Sequence, residues 1–199
     1  MISIPPPERP AASEPRWREK LLAAAEMLEA VPRGQLDLRA LLLLQMLLVP
    51  VSNPHRGQFR QGHGSIRLDG SRHRELPIAA DSRGATELAL CDLESAIRSG
   101  RALLEPVATA NDAVFELNAA HPFADGNGRV ARAIGNWILL RAGYELVLDP
   151  RLYCRERVRC YYHSLAARES GDANSWRVFF AGLVASCYRQ PIGRAGFAT

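Results

Sequence analysis

"LLEPVATANDAVFELNAAHPFADGNGRVARAIGNWILLRAGY", residues Leu103 to Tyr144, decides the fold of this chain. Leu103 to Ala120 carries apolar residues at helical spacing, and a second apolar helix follows from Gly128 and ends at Gly143. Between them lies His121 to Arg132, which holds a histidine, a carboxylate, two glycines around an asparagine, and two arginines three positions apart. A packed core needs almost none of these. The stretch therefore reads as two helices joined by a loop whose residues serve chemistry.

Further helices are expected on both sides. Trp17, Leu21, Ala24, Leu28 and Val31 repeat every three or four residues within Arg16 to Val31, and Leu38 to Leu48 forms a second apolar helix stopped before Pro50. Ala85 to Ser99 continues the pattern. "ERVRCYYHSLAARESGD" and "SWRVFFAGLVASCYRQ" add two amphipathic helices after the central pair. Pro54 to Ala80 differs: glycines at 57, 62, 64 and 70 flank two short alternations, Ile66/Leu68 and Leu76/Ile78, the pattern of a hairpin. Arg56, Arg60, Arg67, Arg72 and Arg74 in this segment read as a solvated basic edge. The expected class is all-α with an inserted β-hairpin. The expected organisation is a Pro/Ala-rich tail over residues 1–15, one domain over 16–190 and a short tail over 191–199.

Composition narrows the function. At 199 residues, 47% hydrophobic and 23% charged, the chain has ordinary globular composition. Cys91, Cys154, Cys160 and Cys187 lack CxxC spacing and sit in apolar or helical surroundings, so they read as reduced core thiols. "MISIPPPERPAASEP" has no basic segment followed by an apolar one, so a cytoplasmic protein is expected, with delivery into a host cell the other possibility. The run from Ala40 to Val51, broken by Gln45 and Pro50, is too short for a membrane span, which needs about 18 apolar residues or more. Of the 25 basic residues only Lys20 is a lysine. A P-loop is absent, so a bound phosphate must be held by arginines and backbone amides.

The loop offers the means. Gly126, Asn127 and Gly128 stand where one helix stops and another starts, where backbone N–H groups have no intrahelical acceptor and the helix dipole is positive. Glycine lets an anion come close to such a nest. Arg129 and Arg132 fall on one face of the first turn, where basic residues oppose the dipole unless an anion is bound. Guanidinium groups so placed can grip neighbouring phosphates. Asp125 beside phosphates is suited to Mg²⁺, which keeps several waters and takes its other ligands from a nucleotide. His121 titrates near neutrality and can accept a proton from a hydroxyl. Phe123 reads as a packing residue and Ala124 as solvent-facing filler.

This loop resembles the Fic family signature HPFx(D/E)GNGRxxR at every fixed position. "GQFR" at Gly57 to Arg60 is similar to the family segment before its hairpin, or flap. "AGYELVL" and "YYHSLAARESGD" resemble segments after the signature helix, so the resemblance covers about Arg16 to Gln190. It implies a helical bundle with a β-hairpin flap, and transfer of AMP from ATP to a Ser, Thr or Tyr hydroxyl of a target protein. By resemblance His121 is the catalytic base, Asp125 the Mg²⁺ ligand, Asn127 and the glycine amides the α-phosphate site, and Arg129 and Arg132 the β- and γ-phosphate site. The flap would pair with an extended target segment, with Arg67, Leu68, Asp69 and Gly70 as contacts. Tyr161 and Tyr162 fall on the helix that meets the nucleobase in the family; a tyrosine pair on an amphipathic helix reads equally as one core and one surface residue. A further base-proximal position falls at Arg168 or Glu169.

Many family members carry a self-inhibitory [S/T]xxxE[G/N] helix, and no match occurs here: "SRHREL" from Ser71 ends in leucine, and Glu26 and Glu29 lack the upstream hydroxyl. Arg132 is then expected to be unpaired, unless an antitoxin-like subunit supplies a glutamate. Self-association is a further possible partnership. Alternatives are a Fic-type transferase using UTP, GTP or a phosphocholine ester, a basic helical nucleic-acid-binding module suggested by the net charge of +4, and a silent scaffold.

Overall fold

Apolar residues at helical intervals give each helix one face to bury, and these faces decide the packing. A computed structural model of the chain describes residues 17–32, 34–69, 72–148 and 155–188. In chain order the elements are α1 (Trp17–Glu29), α2 (Leu38–Leu48), β1 (Ser65–Asp69), β2 (Arg72–Glu75), α3 (Ala79–Arg98), α4 (Arg101–Leu104), α5 (Pro106–Ala120), α6 (Asn127–Arg141), α7 (Arg155–Glu169) and α8 (Ala173–Tyr188). The fold is helical, as expected, and the two strands form an antiparallel hairpin with an irregularity between Arg67 and Asp69. The second strand covers Arg72–Glu75, so the Leu76/Ile78 alternation lies just beyond it. Among the described residues no helix is long and apolar enough to cross a membrane.

α5 and α6 form the central hairpin of helices and make the most extensive helix contact of the fold. Their close approach depends on small residues. A Cβ on Gly135 would fall 2.5 Å from Val114 Cγ2 and 2.6 Å from Leu148 Cδ1. Ala110, Ala131 and Ala133 are likewise buried. Around this pair, Leu21 and Leu28 of α1, Leu41, Leu44 and Leu48 of α2, and Trp176 and Phe180 of α8 complete the core. Asn136 of α6, fully buried, accepts the N–H groups of Val147 and Leu148 at 3.0 and 2.9 Å and so pins the "AGYELVL" segment to the helix.

α3 begins six residues earlier than its apolar pattern shows, at Ala79 instead of Ala85. The extra turn places buried Ser82, whose hydroxyl donates to Ala120 O at 2.6 Å and satisfies a carbonyl at the C-terminus of α5. The helix expected from Leu103 to Ala120 is broken at Glu105, with Pro106 at the first position of α5, where a missing N–H costs nothing. Cys91 and Cys160 are exposed, which corrects their reading as core thiols. Each falls on the polar side of a helix whose packing is carried by neighbours such as Leu90 and Tyr161. Cys154 and both terminal tails lie outside the described residues, as does the Cys187 side chain.

Candidate active site

The loop from His121 to Gly126 is built as a stop and a restart. α5 ends on His121, whose φ of 51° and ψ of 56° place it in the left-handed region, and it is the one non-glycine residue with positive φ among those described. Such a conformation costs a non-glycine residue of order 1 kcal/mol or more and persists where the surroundings enforce it. The chain turns through buried Pro122 and Phe123, and Gly126, with φ of 94°, caps α6. A Cβ on Gly126 would lie 2.6 Å from Val49 Cγ2, so only glycine fits this approach to the end of α2.

Phe123 is the anchor. It is fully buried, its ring stacks on Phe59 at 5.2 Å and 14°, and the two residues form an isolated antiparallel bridge. Asn127 reaches back to the same residue: its Oδ1 accepts the Phe123 N–H at 2.9 Å and its Nδ2 donates to Phe123 O at 2.7 Å. Its side chain thus closes the loop. The start of α6 leaves the backbone N–H groups of Asn127 and Gly128 without intrahelical acceptors, an arrangement chemically suited to an anion.

His121 Nδ1 lies 3.3 Å from Asn118 O. A carbonyl only accepts, so this contact places the proton on Nδ1 and the basic lone pair on Nε2. Asp125 is half-exposed and held by three donors: the Gly126 N–H at 2.6 Å on Oδ1, and Asn53 Nδ2 at 2.6 Å with Arg129 Nη2 at 2.7 Å on Oδ2. Burial pushes its pKa up, but the hydrogen bond and charge of Arg129, with the Gly126 and Asn53 donors, outweigh that and hold it below the ordinary aspartate value.

The two signature arginines do not extend side by side. Arg129 turns to Asp125 and to Leu48 O at the end of α2, at 3.4 Å. Arg132 folds back over Gly128, with Nη1 3.1 Å from where a Cβ would stand, and lies 6.0 Å from the Tyr161 ring centroid on α7. Among the described residues no carboxylate pairs with Arg132, and its buried Nε makes no hydrogen bond. Glu29 is engaged elsewhere, accepting from Trp137 Nε1 at 2.9 Å and Arg141 Nη1 at 3.2 Å near the far end of α6.

The tyrosine pair divides. Tyr162 is exposed, whereas Tyr161 is buried among Trp176 and Phe179, the division into one surface and one core residue that the sequence left open. Its aromatic neighbours require that ring in the core, where it supports Arg132; burial pushes its hydroxyl pKa up despite the Arg132 charge. Arg168 is nearly buried, paired with Asp112 at 3.0 Å and Glu116 at 3.3 Å, and stacked over Phe115 at 4.0 Å. It joins α7 to α5. Burial raises the Glu116 pKa, and the Arg168 charge opposes that rise.

Three residues that organise the loop were not legible as such. Gln45, fully buried on α2, donates to Asp125 O at 3.0 Å and His55 O at 3.1 Å, and accepts the Gly57 N–H at 2.7 Å. In sequence it only interrupts an apolar run. Asn53 carried no signal beyond its place in a turn. Arg60, grouped with a solvated basic edge, is buried instead: it donates from Nε to His121 O, from Nη1 to Gly62 O and from Nη2 to Pro77 O. Of the four flap positions, Gly70 and the side chains of Arg67, Leu68 and Asp69 lie outside the described residues.

The chain is similar to known proteins in sequence and in fold. The sequence profile of the Fic/DOC family matches residues 35–139. A 96-residue segment, 48% of the chain, is 36% identical to the Protein adenylyltransferase Fic of Drosophila virilis and covers 18% of that protein. The chain thus spans about a fifth of the length of the curated relatives it matches. Among solved structures, a Fic family protein from Desulfovibrio desulfuricans G20 aligns with a TM-score of 0.63 and 25% identity over 86% of this chain and 51% of that one. The BepC protein of Bartonella tribocorum, a VirB-translocated effector with bound AMPPNP, aligns with a TM-score of 0.56 and 20% identity over 83% and 82% of the two chains. With more than half of its length inside the family profile, and the HPFADGNGRVAR loop folded between its two central helices, the chain belongs to the Fic/DOC family.

Proposed function

We propose that this chain is a protein adenylyltransferase, which moves AMP from ATP to a Ser, Thr or Tyr hydroxyl of a target protein. The observation that carries this reading is the loop itself: a base at the end of α5, a helix N-terminus on α6 suited to an anion, a carboxylate between them and two arginines in the first turns of α6. The name of the Drosophila relatives supports the reaction class, and the AMPPNP in BepC supports a nucleoside triphosphate as donor.

His121 Nε2 takes the proton from the target hydroxyl as its oxygen forms a bond to the α-phosphorus. The bond from that phosphorus to the bridging oxygen of the β-phosphate breaks, and pyrophosphate leaves. The Asn127 and Gly128 amides face the negative charge spread over the α-phosphate, while Arg132 meets the distal phosphates. Among the described residues no cluster of three or more His, Cys, Asp or Glu converges, so Asp125 is the side chain that would hold a Mg²⁺ ion, with phosphate and water as the remaining donors. Such an ion would supply positive charge against the leaving pyrophosphate.

A second reading keeps the loop and changes the donor to UTP, GTP or a phosphocholine ester. The burial of Tyr161 and the locking of Arg168 by Asp112 and Glu116 favour it, because two positions read as base-proximal are committed to packing. A nucleic-acid-binding role draws less support, since Arg60, Arg129, Arg141 and Arg168 are engaged within the fold.

The test is intact-mass and peptide mass spectrometry of the chain and of cell lysate incubated with Mg²⁺ and each donor, alongside His121→Ala. A nucleotide monophosphate adduct from ATP that requires His121 supports the adenylyltransferase reading. Adducts from another donor alone move the reading to that donor, and their absence with all donors counts against both.

A further inference from the structure

Arg60 is 7% exposed and has no carboxylate partner among the described residues. All its guanidinium hydrogen bonds go to backbone carbonyls: Nε to His121 O at 3.3 Å, Nη1 to Gly62 O at 2.6 Å and Nη2 to Pro77 O at 2.7 Å. Its own N–H donates to Pro122 O at 2.8 Å. Gly62 and Pro77 bracket the hairpin, and one planar group therefore holds both ends of the flap and the backbone of His121. Burial lowers the pKa of this guanidinium, as expected for a cation away from water without a counter-ion. Burying an unpaired charge is a poor way to stabilise a fold, since an apolar side chain of similar volume does it at lower cost. A fork of fixed geometry supplies instead a rigid link between elements distant in sequence.

We propose that Arg60 is a positioning residue for the transfer: it fixes His121 in its left-handed backbone conformation and in register with the flap, so that base and docked target strand move as one unit. The inference rests on the adenylyltransferase reading for its consequence and on the geometry above for its cause. His121 is held on one side by helix α5 and on the other by Arg60, through the carbonyls of residues 121 and 122. With the fork removed, the costly left-handed conformation relaxes and the imidazole leaves its place, and a shift of about 1 Å can reduce turnover on the order of 10²-fold.

The experiment compares the chain with Arg60→Met, which keeps bulk and loses all three donors, and Arg60→Lys, which keeps charge and can reach fewer carbonyls. Two readouts are taken. The ¹³Cα and ¹³Cβ shifts of His121 report its backbone conformation whether or not transfer occurs. The rate of transfer at saturating Mg-ATP, on the acceptor recovered in the mass-spectrometry test, is set beside Mg-ATP affinity from calorimetry. The expected result is loss of the left-handed shift signature in Arg60→Met, a fall in kcat of roughly 10- to 100-fold with nucleotide affinity within about twofold, and an intermediate Arg60→Lys. Unchanged His121 shifts in a folded variant overturn the inference, as does a kcat that falls only in step with nucleotide affinity. Should Arg60→Met fail to fold, Arg60→Lys decides by the same shifts. If no donor modifies any acceptor, the functional reading fails while the shifts still judge the role of Arg60.

Discussion

Asn53 donates from Nδ2 to Oδ2 of Asp125 at 2.6 Å, a contact that joins the turn after α2 to the candidate metal ligand 72 residues away. The same oxygen takes Arg129, and Oδ1 takes the Gly126 N–H. These donors favour the carboxylate over the acid, so the folded-state pKa of Asp125 lies below the unfolded-state value. Its contribution to stability is full above the unfolded-state pKa and is lost as the pH falls through the folded-state one. We expect wild-type protein to lose more stability than Asp125→Asn on acidification through that window, read by urea denaturation. The Asp125 carboxyl ¹³C titration should move up, towards the ordinary aspartate range, in Asn53→Ala.

His121→Ala is expected to abolish transfer and leave Mg-ATP binding near wild type, because it removes a base and not a phosphate contact. Loss of transfer should be at least about 10²-fold, the lower range for general base catalysis. Calorimetry with Mg-ATP checks the separation: a large loss of affinity would show that His121 holds the nucleotide.

Arg132→Ala should weaken productive triphosphate binding, raising KM for ATP with a smaller effect on kcat. Arg132 has no carboxylate partner among the described residues, so its removal breaks no ion pair there, and the melting temperature should change little. Turnover at limiting ATP is the measurement, and an unchanged value would remove Arg132 from the phosphate site.

Gln45→Leu keeps the volume of a fully buried side chain and removes three hydrogen bonds, to His55 O, Asp125 O and the Gly57 N–H. Leaving these backbone groups unsatisfied should cost roughly 2–4 kcal/mol, measured by chemical denaturation. Since Asp125 loses its backbone anchor, Mg²⁺-dependent activity should fall more steeply than the folded fraction.

Gly126→Ala and Gly135→Ala separate two causes of destabilisation. At Gly126 a methyl group meets Val49 at 2.6 Å in a backbone of positive φ, so clash and strain add. At Gly135 the methyl meets Val114 and Leu148 inside a regular helix, so only overpacking acts. Each should cost about 1–3 kcal/mol by overpacking, with Gly126→Ala the larger, as thermal or denaturant unfolding will show.

The helices and the loop were legible because their causes are local. Apolar spacing on a 3.6-residue period sets α2 at Leu38–Leu48, and the Gly-Asn-Gly run dictates a break and a restart whatever surrounds it. His121, Asp125 and Arg132 stood out for the same reason, as residue types that a core does not need, gathered in one short loop and the helix start that follows it. What lay beyond reach was every role set by a neighbour distant in the chain. Whether Tyr161 or Tyr162 turns inward depends on Trp176 and Phe179 arriving against α7, and an arginine reads alike whether it meets water or, like Arg60, the carbonyls of three separate segments. The sequence by itself determined the helical class and the chemistry of the loop, since propensity, period and residue type act over a few positions. Tertiary structure alone decided what holds that chemistry in place, because a buried polar group takes its meaning from the partner that satisfies it, and Gln45, Asn53 and Arg60 find theirs only when the chain has folded.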